Sequence, residues 1–232
     1  MNIMSIPQEE FSAILKELER KPVEVNIWRK ISGVGRSQAF GVVGRRCLAP
    51  DYSKNCWGRP YLYKLLLEFG DKHCPFPYNA ITVNQNYQAS RHRDKNNVGD
   101  SFLVAFGSYT GGELEIFEGD LKGLHNINGS PIVADFSTID HAVRPFEGSR
   151  YSLVFYTYAS KRWPVNLPPP SVKSEMVRGK EKWFFYRGDE KITNGLPHPL
   201  KGRRIGGALK GKKIDPPGEG VENLKSSENP KP

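Results

Sequence analysis

From Asn79 to Tyr158 the sequence breaks into short apolar runs separated by glycine-bearing turns, and no long helix can be threaded through it. The runs are Asn79 to Asn86, Ser101 to Phe106, Glu113 to Phe117, Ser130 to Phe136 and Arg150 to Tyr158. Gly111-Gly112, Asn128-Gly129 and Glu147-Gly148 read as the turns between them. Several short strands at this spacing predict a sandwich or barrel of jelly-roll type.

The chain ahead of this stretch has a different period. Phe11, Ile14, Leu15 and Leu18 fall on one helical face within Pro7 to Arg20, started by Ser5 and Pro7 and ended by Pro22. Pro60 to His73 repeats the pattern with Tyr61, Leu62, Leu65, Leu66 and Phe69; Pro75 and Pro77 forbid continuation. Val23 to Trp28 alternates as a strand does. Helices first and strands after predict an α+β fold, with the N-terminal helices packed on one sheet. The chain therefore divides into a support region (1–78), a strand-rich core (79–163), a proline-rich and aromatic extension (164–193) with one more strand or flap at Lys182 to Tyr186, and a basic tail (194–232) expected to be disordered.

Charge and cysteine content narrow the setting. The formal net charge is +9, which favours a polyanionic partner such as nucleic acid. Arg29, Lys30, Arg36, Arg45 and Arg46 either line a groove for a phosphate backbone or form a solvated hairpin edge. The glycines among them, Ser32-Gly-Val-Gly-Arg36 and Gly41-Val-Val-Gly-Arg-Arg46, lack the Lys-Ser/Thr ending of a nucleotide loop. Three cysteines, none in a CxxC pair, point away from a disulfide framework and towards a reducing, intracellular setting, cytoplasmic or nuclear. No run of eighteen apolar residues predicts a membrane span, and Met1 to Glu10 does not read as a secretory signal.

The chemistry concentrates in three places. His92 and Asp94 are two residues apart, so on a strand or its edge they aim at one point while Arg93 points away. His141 follows 47 residues later, after the chain has had room to return to its own neighbourhood. Two imidazoles and a carboxylate on one face of a metal leave positions open, a set suited to ferrous iron and dioxygen. Arg150 opens the apolar run Arg150 to Tyr156, where an unpaired charge is costly. A dicarboxylate supplies the partner through two parallel hydrogen bonds, with Ser152 on the same face. Singly, each feature has an ordinary structural reading; their order and spacing carry the signal.

That order resembles the iron(II)/2-oxoglutarate dioxygenases. His92, Asp94, His141, Arg150 and Ser152 match the family's HxD, distal His and Arg-x-Ser, within Asn84 to Tyr156. The resemblance implies a double-stranded β-helix core. It implies Fe(II), 2-oxoglutarate and dioxygen as cofactors, with ascorbate as a reductant, and decarboxylation of the oxo-acid to succinate coupled to oxidation of a substrate C–H bond. Within that superfamily His92 to Ser101 and Phe106-Gly-Ser-Tyr-Thr-Gly-Gly-Glu-Leu114 are similar to the TET/JBP group of thymine and 5-methylcytosine oxygenases. The arginine pattern of AlkB-like repair enzymes after the co-substrate arginine is not found. By this resemblance Asn86 and Tyr87 fall beside the oxo-acid or substrate, and Asn96 and Asn97 on a loop near the site. Arg93, Arg45 and Arg46 join them as candidate substrate contacts.

Three function classes are compatible with these features. A nucleobase oxidase acting on DNA agrees with the motif and the charge, with Trp57, Tyr61, Tyr87 and Tyr109 available for stacking. A peptidyl (prolyl or lysyl) hydroxylase uses the same iron core. A non-catalytic jelly-roll binder has no need of two His, an Asp and an Arg at this spacing.

Overall fold

Prolines and polar caps set where the helices start. The structure is a computed structural model; it describes residues 5–24, 33–45, 48–159 and 167–192, with the side chains of Arg45 and Leu48 excepted. The strand expected beyond Glu24, Arg29, Lys30, Arg46, Pro164 and the whole basic tail lie outside the described residues. Pro7 leads into a 3-10 turn, Gln8–Phe11, that continues as α1 (Ser12–Arg20). Ser5 does not cap it; its hydroxyl donates instead to the Gly129 carbonyl at 3.2 Å. A short α2 (Lys54–Gly58) is capped by Ser53, whose Oγ accepts from the Asn55 N–H. Pro60 stands in the first turn of α3 (Pro60–His73). Its buried face is Leu62, Tyr63, Leu66 and Phe69, while Tyr61 is exposed. The face is turned towards Tyr63 because that hydroxyl donates to the Pro170 carbonyl at 2.8 Å, where the extension crosses the helix.

The described residues hold twelve strands, in chain order β1 (Gly33–Arg45), β2 (Leu48–Tyr52), β3 (Ala80–Ala89), β4 (Asn97–Gly111), β5 (Leu114–Ile116), β6 (Gly123–His125), β7 (Ile132–Ala134), β8 (His141–Val143), β9 (Phe146–Tyr158), β10 (Ser171–Val177), β11 (Lys180–Arg187) and β12 (Glu190–Ile192). A six-stranded sheet runs β2-β1-β3-β9-β4-β7 and faces a three-stranded sheet, β6-β5-β8. This is the expected α+β jelly roll, a double-stranded β-helix with helices on one sheet. The basic segment that includes Arg36 and Arg45 is a hairpin at the sheet edge, β1 pairing with β2 as Val42 with Tyr52 and Arg45 with Leu48. Its glycines lie in a strand, not in a loop.

Period-two alternation gives the large sheet two different faces. Ile81 and Val83 of β3, Phe102, Val104 and Phe106 of β4, and Tyr151, Leu153 and Phe155 of β9 pack with Phe11, Ile14, Leu18, Leu62, Leu66 and Phe69 of the helical layer. Phe11 stacks on Phe106 with ring centroids 4.7 Å apart. On the other face Leu103, Ala105, Leu114, Ile116, Ile127, Ala134 and Phe136 form a second core between the two sheets. The rest of that face, carried by β1, β3 and β9, is the open floor of a cavity.

Glu147-Gly148 is not a turn. It lies inside β9, where Gly148 pairs with Tyr109 of β4, and the long β4–β9 ladder continues to Gly111 and Phe146. Gly148 takes φ +100, and a Cβ there would stand 2.4 Å from the Ser108 carbonyl. Glycine is thus required by a close backbone approach within a strand, not by chain reversal. The aromatic stretch at Lys182 to Tyr186 is the middle strand of a separate meander, β10-β11-β12. Trp57 stacks on its Phe185 with centroids 4.7 Å apart, so this indole is spent on packing.

Candidate metal centre and co-substrate pocket

A ladder contact brings the distant histidines together. The His92 N–H donates to the His141 carbonyl and the His141 N–H to the His92 carbonyl, both at 3.0 Å. The two rings then lie side by side, tilted by 49° with centroids 4.3 Å apart. The Asp94 N–H donates to the Phe136 carbonyl at 2.9 Å, which fixes the HxD segment against the chain entering β8. Ligand atoms of His92, Asp94 and His141 all lie within 4.8 Å of one another. The three residues expected at one point are at one point.

Their protonation suits a cation. His92 Nδ1 lies 2.8 Å from the Ser90 carbonyl and His141 Nδ1 lies 3.1 Å from that of Ile139. A carbonyl can only accept, so each Nδ1 carries a proton and Nε2 is the ring atom left to face a metal. Burial pushes the His141 imidazole below its usual range, against an opposing pull from Asp94. Asn97 donates from Nδ2 to Asp94 Oδ2 at 3.3 Å and to Ser101 Oγ at 3.2 Å. Asp94 Oδ1, 3.5 Å from His92 Nε2, is the oxygen on the metal side. Two imidazoles and one carboxylate make a facial set that leaves coordination positions open.

Because Asn97 aims the carboxylate from outside the ligand set, Asn97→Ala should weaken Mn(II) binding by about tenfold. Electron paramagnetic resonance titration of the apoprotein measures it; an unchanged affinity removes Asn97 from this role.

A network of charge braces the same loop. Arg91 and Arg93, on either side of His92, both bond to Asp140 at 2.8 Å, and Arg93 also reaches Glu118 at 2.6 Å. The Arg91 and Arg93 guanidiniums hold the Asp140 carboxyl below the usual carboxylate range. Arg91 further stacks over the Phe117 ring, 4.3 Å from its centroid. Asp140 immediately precedes His141, so these pairs tie both metal-facing segments to one another. Arg93 lines the cavity, but its fork is committed to two carboxylates.

Arg150 lies across the cavity from this brace. It is 2% exposed, pairs in the ladder with Gly107, and shares its face of β9 with Ser152. No carboxylate among the described residues pairs with it, and its buried Nε has no hydrogen-bond partner. Tyr109 and Phe146 flank the guanidinium, with ring centroids 5.5 and 5.7 Å away. Burial lowers the arginine's pKa from its ordinary value, the mark of a charge without a counter-charge. Gly112, at φ +72, leaves room for the stem: a Cβ there would meet Arg150 Cδ and Nε at 3.0 Å. Ser152 Oγ accepts from Asn84 Nδ2 at 3.1 Å, which leaves its own O–H to be donated. A buried cation with a hydroxyl beside it is a seat for a carboxylate.

Sequence reasoning placed Asn86 beside the ligand and passed over Asn84. Asn84 lines the cavity, whereas Asn86 points elsewhere: it sits at φ +48, and its Oδ1 accepts the Arg150 N–H at 2.8 Å. Pairing in the ladder was the missing signal, since Asn84 stands opposite Ser152. Tyr87, Asn96 and Asn97 line the cavity with the triad, Arg150 and Ser152. Arg45 ends β1 and Arg46 lies outside the described residues. The cavity measures about 900 Å³.

Comparison with known proteins finds no matching family model and no matching curated protein. Solved structures do match, at a distance. One is NgTET1 in complex with 5mC DNA, at 14% identity and TM-score 0.49, over 66% of this chain and 69% of that one. A prolyl-4-hydroxylase of Pseudomonas putida gives 17% identity and TM-score 0.42, over 68% and 90%. A 2OG-Fe(II) oxygenase family protein from Burkholderia pseudomallei gives 18% and 0.44, over 64% and 78%.

Proposed function

We propose that this chain is an Fe(II)- and 2-oxoglutarate-dependent dioxygenase, and that its substrate is a methylated nucleobase, 5-methylcytosine or thymine, in DNA. One observation carries the first part: a buried guanidinium with no carboxylate partner among the described residues stands in the same cavity as two imidazoles and a carboxylate. His92, Asp94 and His141 would hold the metal, Arg150 and Ser152 the distal carboxylate of the oxo-acid. When bound, iron and 2-oxoglutarate supply dioxygen activation coupled to decarboxylation, with succinate as by-product and ascorbate as auxiliary reductant.

The chain's own residues then orient and exclude. Asn97 keeps one Asp94 oxygen turned outward, and the Arg91–Asp140–Arg93 brace holds the His92 segment against His141. Val154, Leu103 and Phe136 give the inner cavity an apolar wall that keeps out competing reductants and excess water.

The cavity walls support the nucleobase reading. At about 900 Å³ it has room for the oxo-acid and a flipped-out base together. Tyr87 and Tyr158 line it, each lying against a glycine of β1, Gly33 and Gly44. Flat aromatic walls and the amides of Asn84 and Asn96 offer stacking and edge hydrogen bonds to a base. The net charge of +9 favours a polyanion around it. The test is succinate release by the full chain with Fe(II), 2-oxoglutarate and ascorbate. Methylated DNA should stimulate it, with a hydroxymethyl product by mass spectrometry. Stimulation by proline- or lysine-containing peptides and not by DNA overturns the base and leaves a peptidyl hydroxylase.

A further inference from the structure

The β10-β11-β12 meander has two faces of opposite character. Val172 and Phe185 are buried in the main core, and Trp183 and Ile192 pack against it. The opposite face follows from the register, in which Ser171 pairs with Tyr186, Lys173 with Phe184, Glu175 with Lys182, Val177 with Lys180, and Tyr186 with Lys191. That face carries two aromatic rings, four exposed lysines and one glutamate. Lys191 Nζ rests 3.4 Å above the Phe184 ring centroid and Lys173 Nζ lies 5.2 Å from that of Tyr186. Tyr186 OH donates to Glu175 Oε1 at 3.4 Å, which occupies the one acid that the described residues place on this face.

We infer that this face is a docking platform for a single strand of nucleic acid. It is distinct from the metal pocket and goes beyond the nucleobase reading of that pocket, on which it does not depend. Phe184 and Tyr186 are two residues apart on one strand, so their rings stand about 7 Å apart on the same side. Neighbouring bases of an extended strand can stack on them one each. The lysines that cap the rings are held only by exposed cation–π contacts, which exchange for a stacked base while the ammonium groups move to the flanking phosphates. The face has an excess of three positive charges, which selects a polyanion, and its aromatic pair selects one with π-faces. A duplex keeps its bases stacked inside and cannot use the rings.

Fluorescence anisotropy of a labelled twelve-residue oligothymidylate with the full chain tests this. Leucine in place of both rings, Phe184→Leu with Tyr186→Leu, keeps the apolar bulk and removes the π-faces. It should weaken binding at least tenfold and leave the slope of log K against log salt unchanged. Lys173→Gln with Lys191→Gln should reduce that slope by about 1.4, at roughly 0.7 per phosphate contact on a single strand. Thermal melts check that both variants are folded, and either pair alone suffices to decide. Binding within twofold of the parent in either folded variant overturns the platform, as does equal competition by duplex or by polyglutamate. His92→Ala should bind the oligonucleotide as the parent does, so loss of oxygenase chemistry and loss of docking are separately visible.

Discussion

Asp94→Ala is expected to lose at least a thousandfold in turnover while the protein remains folded. The carboxylate is the one anion of the metal set, and without it a divalent cation meets two imidazoles in a cavity that also holds Arg150. The Coulomb balance of the site then turns repulsive, and Mn(II) affinity should fall with turnover. Stability should move little, within about 1 kcal/mol, because the side chain is partly exposed. The loop also keeps its backbone anchors, since the Asp94 N–H to Phe136 and the paired bonds between His92 and His141 survive. Succinate yield, Mn(II) titration and a thermal melt on one preparation separate the three effects. A tenth of the parental turnover in this variant would be incompatible with Asp94 as a ligand.

Arg150→Met should raise the half-saturating 2-oxoglutarate concentration about a hundredfold. Two charge-assisted hydrogen bonds to a carboxylate are lost, on the order of 3 kcal/mol. Methionine fills much of the same space between Tyr109 and Phe146, so the site keeps its shape. The unliganded variant should be as stable as the parent or more so, because a buried guanidinium with no carboxylate beside it among the described residues and an unsatisfied Nε is a penalty that methionine removes. Ligand then reverses the order. Saturating 2-oxoglutarate at a hundred times its Kd adds about 2.7 kcal/mol to the parent and nothing comparable to the variant. Differential scanning calorimetry with and without the oxo-acid reads both signs. Equal ligand stabilisation of the two proteins would reduce Arg150 to a structural residue.

What the sequence disclosed depended on how local the signal was. The bounds of α3 were legible to the residue because Pro60 opens it and Pro75 closes off its extension. Arg150 was legible because a lone charge stands out in an apolar run. The β1 hairpin was only half legible, since its many glycines hide a strand that is held by pairing and not by propensity. β8 was missed because three residues, one a histidine, give no periodicity. The network around the triad was invisible for a different reason. Asn97, Asp140 and Asn84 act through partners that only the ladders bring within reach.

One strand serves two layers, and this constrains how the gene can change. Tyr151, Leu153 and Phe155 of β9 face the helices, while Arg150, Ser152 and Val154 face the cavity. Inserting or deleting one codon ahead of Arg150 within β9 would rotate the guanidinium into the oily side and Tyr151 or Leu153 into the ligand seat. Both halves would fail at once. Length variation among descendants of this chain should therefore collect between Phe117 and Ser130 and stay out of β9.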